Sequence, residues 1–250
     1  MIRAAKYFAK RVKRKWENLS VIHCHVMKLT ILLAGTNDPS NSAALADAFA
    51  EGVQNAEASD VTRIRLRELD LPHFTLEAYD DPATGGEAYV RLKDAIEGAD
   101  GILVATPIWN FGVPAHLKNA IDWIGCFALD SETRNHGQLK RTPCFFLYTG
   151  GSPYPAWKGL LRFTTHFVPE SFRFFGGTVA GKYYEPKAMK GKGDFGLVVD
   201  QRPQSLEKAR DAGRKFGSFI QRFRESGKLP LYHRLYEWGY RKGKRIVGKL

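Results

Sequence analysis

Apolar positions along this chain follow two alternating rhythms. Compact runs at residues 28–34, 61–66, 101–106 and 143–148, with another around Thr178-Val179-Ala180 inside 172–181, are separated by stretches where apolar residues return every three or four positions. The run at 101–106, Gly-Ile-Leu-Val-Ala-Thr, is uncharged and partly β-branched, which suits a strand buried on both faces of a parallel sheet. The helical spacing is clearest in Ala44, Leu45, Ala48, Phe49 and Val53, in Ala88, Leu92, Ala95 and Ile96, and in Leu117, Ala120, Ile121 and Ile124. Residues 157–167 predict a further amphipathic segment, and 205–226 a long helix with Leu206, Ala209, Phe216, Ile220 and Phe223 inward. Residues 73–86, rich in Asp, Pro and Gly, read as a loop without an assigned role. Strands alternating with helices predict one α/β domain with a five-stranded, doubly wound parallel sheet.

Three strand ends carry the candidate chemistry, because open α/β sheets bind ligands beyond the carboxyl ends of their strands. The first is Gly35-Thr36-Asn37-Asp38-Pro39-Ser40-Asn41-Ser42, a hydroxyl-rich turn entering a helix. Such a turn offers donors and the positive end of a helix dipole to an anion; an ordinary capped turn is the alternative. At the second, Pro107 stops the central strand, Ile108-Trp109-Asn110-Phe111-Gly112-Val113 forms an aromatic turn, and Pro114 opens a helix. The third is Thr149-Gly150-Gly151-Ser152, where paired glycines let backbone approach a flat ligand or simply make a tight turn.

The second of these, with its Pro-x-x-Asn-Phe-Gly-x-Pro-x-x-Leu-Lys-Asn pattern, closely resembles the second flavin loop of NAD(P)H-dependent FMN reductases, azoreductases and quinone reductases of flavodoxin-like fold. The resemblance spans roughly residues 28–226 and implies a strand order of 2-1-3-4-5. It further implies that Thr36, Ser40, Asn41 and Ser42 hold the FMN phosphate, and that Pro107, Ile108, Trp109, Asn110, Phe111 and Gly112 border the ring, with backbone donors reaching its hydride-accepting edge. Tyr148, Thr149, Gly150 and Gly151 would hold the pyrimidine side. The first loop lacks the arginine that many relatives carry there. NADPH or NADH would serve as co-substrate, with a quinone, azo compound, flavin or similar small molecule as acceptor in a ping-pong scheme, and a homodimer would complete the site. A flavodoxin-like electron carrier that does not turn over pyridine nucleotide is the competing reading. No catalytic acid is identified: Tyr154 and His116 lie near the site in sequence, and His116 reads more readily as a surface or second-subunit contact.

Charge adds a separate theme. The net charge is +12, and it is located entirely in two tails. Residues 1–20 hold seven basic residues against Glu17, and residues 228–250 seven against Glu237, so each tail contributes +6 and the stretch between is neutral. The expected organisation is therefore a basic amphipathic extension at 1–27, the FMN-binding domain at 28–227 and a basic aromatic extension at 228–250. Ile2, Ala5, Phe8, Val12, Trp16 and Leu19 repeat at helical spacing, which admits a helix packed on protein, one lying on a membrane surface, or an addition preceding a start at Met27. In the second tail, Gly239, Gly243 and Gly248 argue against a continuous helix. Its aromatics among Lys and Arg favour an anionic membrane surface over a nucleic-acid patch or a dimer arm. Three scattered cysteines, Cys24, Cys126 and Cys144, point to a reducing compartment, the cytoplasm, with peripheral attachment at the inner face of the membrane as an option. Neither a signal peptide nor a spanning segment is read, and His23-Cys24-His25 has no second cluster with which to bind a metal.

Overall fold

The computed structural model describes residues 26–191 and 196–247. Residues 1–25 of the N-terminal extension, with the His23-Cys24-His25 stretch, and Gly248 lie outside the described residues. Strands β1 (Met27–Leu33), β2 (Ser59–Arg65), β3 (Gly101–Pro107), β4 (Pro143–Thr149) and β5 (Thr178–Glu185) form one sheet in the order β2-β1-β3-β4-β5, and every neighbouring pair is parallel. Between and after them run helices α1 (Asn41–Ala56), α2 (Gly86–Glu97), α3 (Ala115–Ala128), α4 (Phe167–Phe174), α5 (Pro203–Ser226) and α6 (Leu231–Val247). The flavodoxin-like arrangement expected from the sequence is the one observed.

Alternation along the central strands divides the core in two. Ile102, Val104, Phe146 and Tyr148 face α2, α3 and α4, while Leu103, Ala105, Phe145 and Leu147 face α1 and α5. Because both faces are covered, β3 and β4 read as continuous apolar runs, whereas the edge strand β2 keeps most of its side chains at least partly exposed. On the second face α1 and α5 approach backbone to backbone, with Gly52 against the Arg210 carbonyl and Gly213 against the Phe49 carbonyl.

Three local expectations are corrected. Phe172 belongs to α4 rather than to the start of the fifth strand, which begins only at Thr178 after a left-handed turn at Gly176 (φ 90°). Its aromatic neighbours resemble strand residues, but Val168 and Phe172, four positions apart, are both buried on one helical face. The amphipathic segment expected after β4 begins earlier, at Tyr154, and its helical backbone carries a π-helical stretch at Trp157–Leu161 before ending at Thr164. Finally, α6 runs unbroken through Gly239 and Gly243. Each glycine weakens a helix by about 1 kcal/mol relative to alanine. Contacts from His233, Tyr236 and Glu237, at helical spacing, offset that loss.

Candidate functional site

The carboxyl ends of β1, β3 and β4 open into one cleft, at the place where open α/β sheets bind ligands. Ten of the fourteen residues proposed from sequence line it: Thr36, Ser40, Asn41, Ser42, Pro107, Ile108, Trp109, Thr149, Gly150 and Gly151. Gly35, Asn37, Ala188 and Met189 complete the wall. None of these residues carries a charge, so an anion here would meet dipoles and hydroxyls rather than a counter-ion.

At one end the first loop turns sharply into α1. Ser40 is the N-cap; its hydroxyl accepts from the Ala43 amide at 3.4 Å and lies 3.0 Å from the Ser42 hydroxyl. Gly35 leaves room for both hydroxyls, since a Cβ there would come within 2.6 Å of each. The amides of Asn41 and Ser42, in the first turn of the helix, have no partner among the described residues. Arg67, from the turn after β2, reaches back to donate to the Thr36 carbonyl and lies 3.7 Å from Asp38. An arginine thus braces this loop from elsewhere in the sequence, although it does not line the cleft.

The second loop is a two-residue hairpin. Trp109 and Gly112 exchange backbone hydrogen bonds at 2.9 and 2.8 Å, and Asn110 and Phe111 between them hold φ of 47° and 66°. Left-handed backbone is unfavourable for Phe. Yet Phe111 is 63% exposed and gains little burial in return. The amides of Asn110 and Phe111 have no partner among the described residues, whereas those of Ile108 and Trp109 are spent on Thr149 and Gly112. Asn110, Phe111 and Gly112 form the tip of the hairpin and do not line the cleft.

Two assignments change. Tyr148 does not reach the cleft: its ring is 1% exposed and packs in the core near Trp157, because alternation from Thr149 turns it to the opposite face. Asn41 lines the cleft, but its side chain is already committed. Its Nδ2 donates to the carbonyls of Ala188 (3.4 Å) and Gly196 (3.1 Å), and its Oδ1 accepts from the amides of Val198 (2.9 Å) and Val199 (3.2 Å).

The segment after β5, which sequence reading passed over, is the missing wall. The Gly150 amide donates to the Glu185 carbonyl at 3.2 Å and the Ala188 amide donates back to Gly150 at 2.9 Å, setting Met189 in the space that a side chain at Gly151 would need. Buried Glu185 fixes this segment by accepting from Tyr183 (2.5 Å), Ser205 (2.8 Å) and Arg202 (3.4 Å). Arg202 also donates to the carbonyls of Pro186 (3.1 Å) and Lys187 (2.9 Å). The alternation of Lys182, Tyr183, Tyr184 and Glu185 was the available signal: a carboxylate at the end of a strand, followed by Pro186, calls for a partner.

His116 anchors a helix end, with Nε2 donating to the Ala34 carbonyl at 2.8 Å. Tyr154 is half-exposed among Trp157 and Tyr184. The closing Asn119 of the sequence pattern accepts from the Phe74 amide (2.8 Å) and donates to the Pro72 carbonyl (2.9 Å), pinning the loop after β2 against α3. Among the described residues no cluster of three His, Cys, Asp or Glu side chains is placed to hold a metal, and no helix is long and apolar enough to cross a membrane.

The family described as NADPH-dependent FMN reductase matches residues 27–180. An FMN-dependent NADH:quinone oxidoreductase of Nitratidesulfovibrio vulgaris is 29% identical over 163 residues, covering 56% of this chain and 78% of the relative. The quinone reductase of Escherichia coli is 30% identical over 156 residues, covering 61% and 75% respectively. Among solved structures, an FMN-dependent NADH-azoreductase from Bacillus anthracis in complex with FMN shares the fold at a TM-score of 0.57 with 18% identity, over 76% of this chain and 98% of that one.

Proposed function

Because the chain belongs to the NADPH-dependent FMN reductase family, we propose that it holds FMN in the cleft between β1, β3 and β4 and passes electrons from NADPH or NADH to a quinone or a related acceptor such as an azo compound or free flavin. The observation that carries this reading is the polarity of the cleft. Serine hydroxyls, and amides with no partner among the described residues, sit at its α1 end, and the uncharged walls of Ile108, Trp109 and Met189 lie beyond them. That division suits a flat ring bearing one phosphate. When bound, FMN would take hydride from the nicotinamide and deliver electrons to the acceptor.

The side chains of this protein have the simpler task of holding and orienting. Thr36, Ser40, Ser42 and the first amides of α1 would hold the phosphate, with the helix dipole in place of a cation. Asn41 keeps its proposed place near the phosphate as a backbone donor, its side chain serving the wall. Pro107, Ile108 and Trp109 would line one ring edge, and the amides of Asn110 and Phe111 are hairpin donors without a partner among the described residues. Thr149, Gly150 and Gly151 would border the other edge, with Tyr148 supporting that loop from the core. Donor and acceptor would use one opening in turn, a ping-pong order. Exposed Phe111, Tyr154, Leu160 and Phe163, on the segments that follow β3 and β4, supply an apolar rim for a second copy of the chain to cover. A monomeric mass by light scattering at assay concentration would remove this last element.

The test is spectroscopic. Purified protein is expected to carry or take up FMN, and anaerobic NADPH or NADH to bleach its visible band, with a quinone restoring it. A bound flavin that neither nucleotide bleaches would favour an electron carrier instead; no flavin uptake would refute the assignment of the cleft.

Phe111 offers an independent check. Phe111→Gly should relieve the left-handed backbone and raise stability by about 1 kcal/mol, measured by urea unfolding. A loss of stability would mean that the exposed ring is held by a partner.

A further inference from the structure

Helix α6 is docked by its polar side. Glu237 accepts from the Thr178 hydroxyl at 3.1 Å and pairs with Arg141 at 3.3 Å. His233 meets Phe219 edge-on with ring centres 5.2 Å apart, and the Arg173 guanidinium lies 4.5 Å from the centre of the Tyr236 ring. The apolar side faces outward instead, with Leu231 65%, Tyr232 70%, Leu235 60% and Trp238 60% exposed. At 3.6 residues per turn, positions 231, 235, 238 and 242 follow one another along a single stripe. An amphipathic helix that packs only on its own domain does the reverse.

Cations border this stripe. Lys242 places its Nζ 4.2 Å from the centre of the Trp238 ring, and Lys228, Arg234 and Arg141 line the groove beneath. The single acidic residue from 228 to 250, Glu237, is turned inward.

We propose that α6 is a docking element for anionic phospholipid, laying the stripe from Leu231 to Trp238 into the headgroup layer of a bilayer while the basic rim meets the lipid phosphates. Charge selects this occupant over the others the chain could provide. Residues 1–20 carry +6, as do residues 228–250, so neither the N-terminal segment nor a second α6 complements the rim. An anionic headgroup layer does, and Trp and Tyr rings settle at that depth. Delivery of electrons to acceptors dissolved in the membrane would follow from the function proposed above; the docking itself does not depend on it.

Full-length protein should co-sediment with phosphatidylcholine vesicles containing about a quarter phosphatidylglycerol at low salt, and much less with phosphatidylcholine alone or at high salt. The double variant Leu235→Glu/Trp238→Glu changes two exposed positions remote from the cleft. It should bind those vesicles at least about tenfold more weakly, with FMN content and turnover of a soluble quinone unchanged. Undiminished binding by the variant, or equal binding of the wild type to neutral vesicles, would overturn the proposal. So would a drop in the variant's solution mass from dimer to monomer, which would make the stripe a seam between copies. Absence of flavin turnover in wild-type protein that still binds the anionic vesicles would count against the reductase reading and leave the docking in place.

Discussion

Gly213→Ala should lower the stability of this protein by about 3 kcal/mol, because one methyl group must be inserted where two helices touch through their backbones. A Cβ at Gly213 would stand 2.0 Å from the Phe49 carbonyl oxygen, and one at the facing Gly52 2.0 Å from that of Arg210. A backbone carbonyl cannot rotate aside, so α1 and α5 would have to separate along the face that buries Phe49, Phe216 and Ile220. For a chain of this size each kcal/mol corresponds to roughly 2–4 °C in Tm. Urea and thermal unfolding would both read the change. Gly239→Ala in α6 is the control, since nothing lies within 4 Å of a Cβ there, and the better helix former should stabilise by up to about 1 kcal/mol. Similar behaviour of the two variants would mean that α1 and α5 lie farther apart in solution.

Gly35→Ala should do the opposite: keep the fold and lose the cofactor. Its Cβ would press at 2.6 Å on the hydroxyls of Ser40 and Ser42, both ends of short side chains that can turn away. Stability should therefore change little. But the hydroxyls would no longer point into the cleft, and hydrogen bonds to a charged group contribute about 1.5–3 kcal/mol each. Losing one such bond outright predicts a fall in FMN affinity of about tenfold to a hundredfold. Fluorescence titration of apoprotein with FMN measures this directly. Unchanged affinity with unchanged stability would place the phosphate elsewhere in the cleft.

The contrast between these glycines also indicates what a linear sequence reveals. Strands β1, β3 and β4 were legible because burial on both faces leaves a run of apolar residues, and the three loops were legible because each follows such a run. Phe172 was misplaced because an aromatic residue serves a buried helix as well as a strand. Tyr148 was misassigned because side-chain direction flips at each residue, so the neighbour of a lining residue is in the core. The wall at Ala188 and Met189 left almost no signal. Its role arises from bonds to Asn41, about 150 positions away, and to Arg202, neither of which has a characteristic spacing. Gly239 and Gly243 misled for a related reason: propensity is local, while the contacts that hold α6 come from Arg141, Arg173, Thr178 and Phe219.

The grip of Asn41 on residues 188, 196, 198 and 199 bears on the order in which the protein assembles. Contacts between residues far apart in sequence close large loops and form late. The first loop emerges early in synthesis, yet its wall arrives only after the fifth strand has joined the sheet. A nascent chain released from the ribosome after β4 would possess all three strand-end loops and still have no closed cleft. Capture of the cofactor would therefore report completion of the whole sheet, and the first turn of α1 would acquire its final neighbours only when nearly the entire domain is in place.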